Sequence, residues 1–252
     1  MKRVRRTGNN QRTSLALLSA VALLSALAGC SQTVSEQSAV VKQVESGQSA
    51  ASGFFGKDVS LLQPGQEGQA AMVYINSNVQ WSQYNKIMLE PVEFWDSADS
   101  TVSPSDQHML TAYAYNKLKE DLQKNFTLVD QGGSGVLVLQ VALVNASAAT
   151  PGLRSVSVVI PQLRVINAAQ SLATGSYAFV GSAEAMMKAT DAGSGQLLAA
   201  AIDKRAGGVA LSSAAQWKWG DAENAIDYWA QKIDSRLLEL QGRTPTAQQS
   251  SG

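Results

Sequence analysis

The chain has one histidine and one cysteine in 252 residues, and that scarcity removes whole classes of chemistry. His108 and Cys30 alone cannot assemble a His- or Cys-based metal cluster, so no metal site is expected. A Ser-His-Asp set is formally open through His108, but no G-x-S-x-G nucleophile elbow accompanies it. A lone histidine in the first turns of a helix reads as a solvated residue. Gly132-Gly-Ser-Gly135 lacks the Lys-Ser/Thr of a phosphate-cradling loop and reads as a tight turn. No internal repeat is present. No uncharged apolar stretch has comfortable spanning length, since the run Leu15 to Ala28 is only 14 residues long. Catalytic residues and cofactors are accordingly expected to be none.

What is present is concentrated at the start. Lys2, Arg3, Arg5, Arg6 and Arg12 precede the apolar run, which closes on Leu27-Ala28-Gly29-Cys30. A basic start, a short apolar segment and small residues at its end make a secretory signal peptide. Leu27-Ala28-Gly29-Cys30 resembles the lipobox of bacterial lipoproteins. That resemblance implies recognition of Leu27, Ala28 and Gly29 by the signal peptidase, cleavage before Cys30, and lipidation of the Cys30 thiol with acylation of the new amine. Each buried methylene contributes about 0.8 kcal/mol and stable anchoring takes two chains, so three acyl chains hold firmly. The simpler alternative is a free cysteine beside a secretory signal. Arg5-Arg6 is followed by Thr7-Gly8-Asn9-Asn10, without the apolar pair of a twin-arginine signal. Ser31 after the cysteine resembles the outer-membrane default of Gram-negative lipoproteins.

Processing changes the charge balance. The full chain carries 20 basic and 20 acidic residues, but residues 1–29 hold five basic and no acidic ones. The mature chain therefore has 15 basic against 20 acidic residues, a net charge of −5. That argues against a nucleic-acid partner, which favours a basic face. With Cys30 consumed no thiol remains for a disulfide, so stability rests on an apolar core.

Composition divides the mature chain. Residues 30–52 (the lipidated cysteine followed by Ser-, Gln-, Ala- and Val-rich sequence) read as a flexible tether with a reach of about 25 Å. Residues 53–241 read as one globular domain and 242–252 as a disordered tail. Ile87 and Leu89 alternate with Met88 and Glu90 in a strand that Pro91 ends or bulges. Ser103, Pro104 and Asp106 form a helix start, followed by Leu110, Ala114, Leu118 and Leu122 at i, i+4 spacing. A strand is expected at Phe126–Asp130, and the nearly all-apolar Val136–Val144 reads as a central strand covered on both faces. Strand patterns from Tyr177 to Thr190 and from Gln196 to Arg205, joined at Asp191–Gly195, predict a long hairpin. Ala222, Ile226, Trp229, Ile233, Leu237 and Leu240 stripe a last helix beginning near Asp221. Residues 152–172 give no clear pattern. The expectation is an α+β domain, with a mixed β-sheet, a long hairpin and two main helices packed on it.

Several short motifs carry a wider resemblance. Ser52-Gly53-Phe54-Phe55, Trp81-Ser-Gln-Tyr84, Leu172-Ala-Thr-Gly175, Phe179-Val-Gly181, Asp191 with Gly195, and Trp219-Gly-Asp221-Ala222 resemble a family of Gram-negative lipoproteins known as a domain of unknown function. Val59 stands where that family often has an aromatic. The element order also looks like the small α+β domains of envelope lipoproteins in curli secretion, Tol-type complexes and cell-wall-synthase activation, a likeness of fold that carries no function. The resemblance implies location and fold, with no catalytic residues to transfer.

Three groups invite a functional reading. Glu223 and Asp227 lie i, i+4 on the last helix, where a solvated face explains them better than a catalytic pair. Glu184 and Asp203, on partner strands, form a polar site only if their faces agree. Trp217 and Trp219 share one side of an extended segment and are the candidate partner-binding residues, against the alternative that they plug the core. Gly53-Phe54-Phe55 is a second candidate, as a latch between tether and body. The expected function is a lipid-anchored envelope lipoprotein on the periplasmic face of the outer membrane, structural or protein-interacting, with the membrane and an unidentified envelope protein as partners. The alternative is a lipid-anchored binding module for a small molecule, glycan or lipid. A deep apolar pocket with convergent polar groups favours the module; a broad exposed aromatic patch favours the interaction protein.

Overall fold

The computed structural model describes residues 33–47, 49–95, 102–147, 181–207 and 219–244, all within one compact unit, Ser31–Gly252. The unpatterned stretch 152–172 lies outside the described residues. The described elements, in chain order, are β1 (Thr33–Ser35), α1 (Gln37–Glu45), α2 (Ala51–Phe55), β2 (Gln63–Pro64), β3 (Met72–Ile75), β4 (Lys86–Leu89), β5 (Glu93–Phe94), α3 (Pro104–Leu122), β6 (Thr127–Leu128), β7 (Val136–Ser147), β8 (Ser182–Asp191), β9 (Leu197–Gly207) and α4 (Gly220–Leu240). Short 3-10 helices at Gly56–Leu61 and Trp81–Gln83 link some of them.

The strands form one mixed sheet in the order β2-β3-β9-β8-β7-β4-β6, with β1 beside β9 and β5 beside β7. The fold is α+β. β7 is an interior strand, antiparallel to β8 and parallel to β4. Its apolar run follows from burial on both faces. Leu137, Leu139 and Val141 meet the cluster under the long helices, while Ala142 and Val144 pack on the opposite side. β8 and β9 make the long hairpin, and Gly195 takes φ 70° where the chain reverses. Gly135 is needed before β7, because φ is 70° and a Cβ there would approach Gln83 O to 2.9 Å.

α3 begins as its sequence dictates. The Ser103 hydroxyl accepts from the Asp106 N–H at 3.2 Å and Pro104 occupies the first turn. Leu110, Ala114, Leu118 and Leu122 are buried. α4 buries Ala222, Ile226, Trp229 and Leu237 against the sheet. Ala183, Ala185 and Ala189 lie beneath these helices, small enough for close approach.

The amino-terminal segment corrects the flexible-tether reading. Thr33, Val34 and Ser35 pair antiparallel with Gly207, Ala206 and Arg205, and the Glu36 N–H donates to Lys204 O at 2.9 Å. Val40 of α1 is 1% exposed. With Phe54 and Phe55 of α2 it covers Ala142, Met186 and Ile202, the face away from the long helices. A sheet buried on both sides needs a second cover, and residues 33–47 and 49–55 provide it. The body therefore begins about twenty residues before Gly53. At the other end Arg243, assigned to the tail, lies 5.6 Å from the Phe126 ring centre; residues 245–252 lie outside the described set.

Candidate functional site

The long hairpin runs past the edge of α4 and leaves a cleft of about 150 Å³ between that helix and the outer strands. Val73 and Ile75 of β3 and Ala199 and Ala201 of β9 form its floor, while Trp229, Ile233 and Leu237 of α4 form a wall. The alanine side chains are short and leave the space above this part of the floor unfilled. Lys232 and Arg236, one turn apart on α4, stand at the rim. Arg236 pairs with Glu239 at 2.7 Å, but with both side chains more than two-fifths exposed that contact is weak.

A buried polar group sits where the cleft meets the middle of the sheet. Asp203 Oδ2 accepts from Trp229 Nε1 at 2.8 Å and lies 3.5 Å from the Arg205 guanidinium. Its Oδ1 accepts from the Ala71 N–H at 3.3 Å. Desolvation raises the Asp203 pKa, against the opposing pull of these donors. Arg205 lies 3.7 Å above the Tyr228 ring, a cation–π contact. β3, β9 and α4 are thereby tied at one point, and the cleft opens beyond it.

Other singled-out residues behave differently from their sequence readings. Glu184 pairs in register with Lys204, whereas Asp203 lies opposite Ala185. The two carboxylates therefore occupy opposite faces and make no shared site. Asp227 is not on a freely solvated face: its Oδ1 accepts from Tyr113 OH at 2.8 Å, joining α3 to α4. Desolvation and that contact push the Tyr113 pKa well up. Trp219 is 2% exposed and packs with Ala183, Ala222 and Trp229, so it offers no free ring to a partner. Trp217 lies outside the described residues, as do Leu27, Ala28, Gly29 and Cys30. Phe54 and Phe55 are core residues, with Phe54 edge-on to Trp95 at 5.7 Å. His108 is exposed.

Among the described residues no three His, Cys, Asp or Glu side chains gather as a metal site, and no helix is long and apolar enough to cross a membrane. The cleft itself escaped sequence reasoning. Its signals were the run Ala199-Ala200-Ala201 and the apolar Met72-Val-Tyr-Ile75, both short and separated by more than 120 positions.

Residues 50–233 match DUF3313, described as a protein of unknown function. The chain belongs to that family. Among solved structures it is similar to PelC from Paraburkholderia phytofirmans. A dodecamer of a leucine-to-methionine variant matches with 15% identity and a TM-score of 0.36, covering 65% of this chain and 97% of that one. A second PelC dodecamer matches with 12% identity and a TM-score of 0.34, covering 69% and 98%. No curated protein matches the DUF3313 chain.

Proposed function

We propose that this DUF3313 protein is a lipid-anchored envelope lipoprotein, held through Cys30 at the periplasmic face of the outer membrane, whose body acts as a binding module with the α4–hairpin cleft as its site. The anchor rests on Leu27-Ala28-Gly29-Cys30 and on Ser31. The binding reading rests on the cleft: an apolar space beside a buried polar cluster, with two cations at its rim. The interaction-protein reading asks for a broad exposed aromatic patch. Among the described residues the one exposed large hydrophobic is Leu61, at 40%.

Size and charge define the occupant. Apolar cavities near 150 Å³ accept a benzene ring, and Lys232 and Arg236 favour an acidic group beside it. The occupant class is a compact apolar group carrying a carboxylate or similar anion. Two measurements test the two halves. Cys30→Ser should abolish labelling by a fatty-acid analogue and release the protein from membranes; membrane retention without lipid would contradict the anchor. Titration of the isotope-labelled body with 4-phenylbutyrate should shift amides of β3, β9 and α4 saturably; unsaturable or scattered shifts would contradict the site.

A further inference from the structure

The anchor and the sheet are joined by almost no chain. Only Ser31 and Gln32 separate Cys30 from Thr33, and Thr33 is already paired with Gly207 at the end of β9. Three residue steps span at most about 11 Å, however extended. β9 has 11 residues, a rise of about 36 Å at strand geometry. The link is therefore far shorter than the body, and it keeps the Thr33 end of the sheet within about 11 Å of residue 30.

The attachment is also firm. Besides the three paired residues of β1, Glu36 lies 2.8 Å from Lys204 Nζ with its own side chain 2% exposed. Val40, in the helix that follows at once, is sealed in the core. Peeling β1 away to lengthen the link would strip the ion pair and uncover part of the sheet.

We infer that the protein docks on the bilayer in one orientation, with the β1–β9 end of the sheet against the lipid headgroups and the opposite end pointing into the aqueous space. This rests on lipidation of Cys30. The ends of β7 and β9 and the starts of β8 and α4 lie at the headgroup end, because β8 begins opposite both Ser147 and Ala206 and Trp219 before α4 packs on Ala183. The Asp191–Gly195 turn and the carboxyl-terminal ends of α3 and α4 lie at the far end. The cleft floor comes from the first half of β9, so the cleft is held off the bilayer and faces the aqueous space.

Depth-dependent quenching tests this with the mature lipidated protein in phosphatidylethanolamine–phosphatidylglycerol vesicles carrying nitroxide headgroup lipid. Ser35→Cys, at an exposed β1 position, and Gln123→Cys, at the exposed end of α3, carry the fluorophore. The label at 35 should be quenched several-fold more strongly than the label at 123. Inserting twenty Gly/Ser residues after Ser31, with a reach of about 25 Å, should erase most of that difference. Equal quenching in the uninserted protein, with vesicle binding intact, overturns the orientation alone. Failure of the protein to carry lipid and bind vesicles overturns the anchor and the orientation together. An unchanged difference after insertion overturns the short link as its cause.

Discussion

Trp229 donates its indole N–H to Asp203 Oδ2 at 2.8 Å, so that α4 and β9 are fastened through the interior. The same indole forms part of the cleft wall. Trp229 is thus both core and site border, and its two chemical halves separate by mutation. Trp229→Ala should cost about 3–5 kcal/mol by cavity formation. Trp229→Phe keeps most of the packing but leaves Asp203 short of a donor, a cost of about 1–3 kcal/mol. Urea denaturation of both variants checks the order; equal losses would show that the hydrogen bond to Asp203 accounts for the effect and that packing adds nothing.

Tyr113 and Asp227 supply an alkaline signature. The Tyr113 phenol is raised by desolvation first and by its contact to Asp227 second. A raised folded value favours the neutral phenol, so its contribution is complete below the unfolded value of 10.0 and is lost as pH climbs through the folded one. Spectrophotometric titration should show late-ionising tyrosine in the native protein. Asp227→Asn should move one phenol to lower pH, and an unshifted titration would refute the pairing.

The acid limb has its own marker at the hairpin turn. Asp191 Oδ1 accepts from Ser194 N at 2.7 Å and Ser194 Oγ at 2.8 Å, and its Oδ2 accepts from Tyr84 OH at 2.9 Å. These contacts, Ser194 foremost, hold its pKa below 3.8. Its stabilisation is present above that unfolded value and disappears as pH falls through the lower folded one. The stability difference between wild type and Asp191→Asn should therefore shrink as pH falls below 3.8, measured by thermal melts across the acid range. A constant difference would contradict it.

The amino-terminal cover predicts a protease map. Cleavage should stop short of Thr33, since 33–47 is built into the sheet and its second face. Val40→Asp replaces a side chain whose burial contributes about 1.5–3 kcal/mol with a buried charge. It should lower the melting temperature and open cuts within 33–47. Early trimming of the wild type to Gly53 would restore the flexible-tether reading.

How much of this was legible in the sequence depended on the length of each pattern. Leu110-Ala114-Leu118-Leu122 and the six-residue stripe of α4 span several turns, and β7 is a long apolar run, so the two helices, the hairpin and the central strand follow directly. α1 was hidden because Val40, Val41 and Val44 are too few to stand out from Ser and Gln neighbours. β2 and β3 are two and four residues long, and β3 owes its place in the sheet to β9, far along the chain. Trp219 illustrates the limit for sites: a tryptophan has the same letter whether it grips a partner or fills the core, and burial decides. The cleft was illegible for a related reason, since it is a gap left by alanines that only tertiary packing brings opposite α4.

The most direct measurement is a matched titration of the folded body with 4-phenylbutyrate and with 4-phenylbutanol, followed by amide shifts, in the wild type and in Ala201→Phe. Ala201 lies in the cleft floor, and a ring there occupies the space a ligand would take. Saturable shifts confined to β3, β9 and α4 are expected, tighter for the acid than for the alcohol, and lost in Ala201→Phe while the melting curve stays cooperative. Equal response to acid and alcohol would contradict the role of Lys232 and Arg236. Saturable binding that survives in a folded Ala201→Phe would contradict the cleft as the binding site.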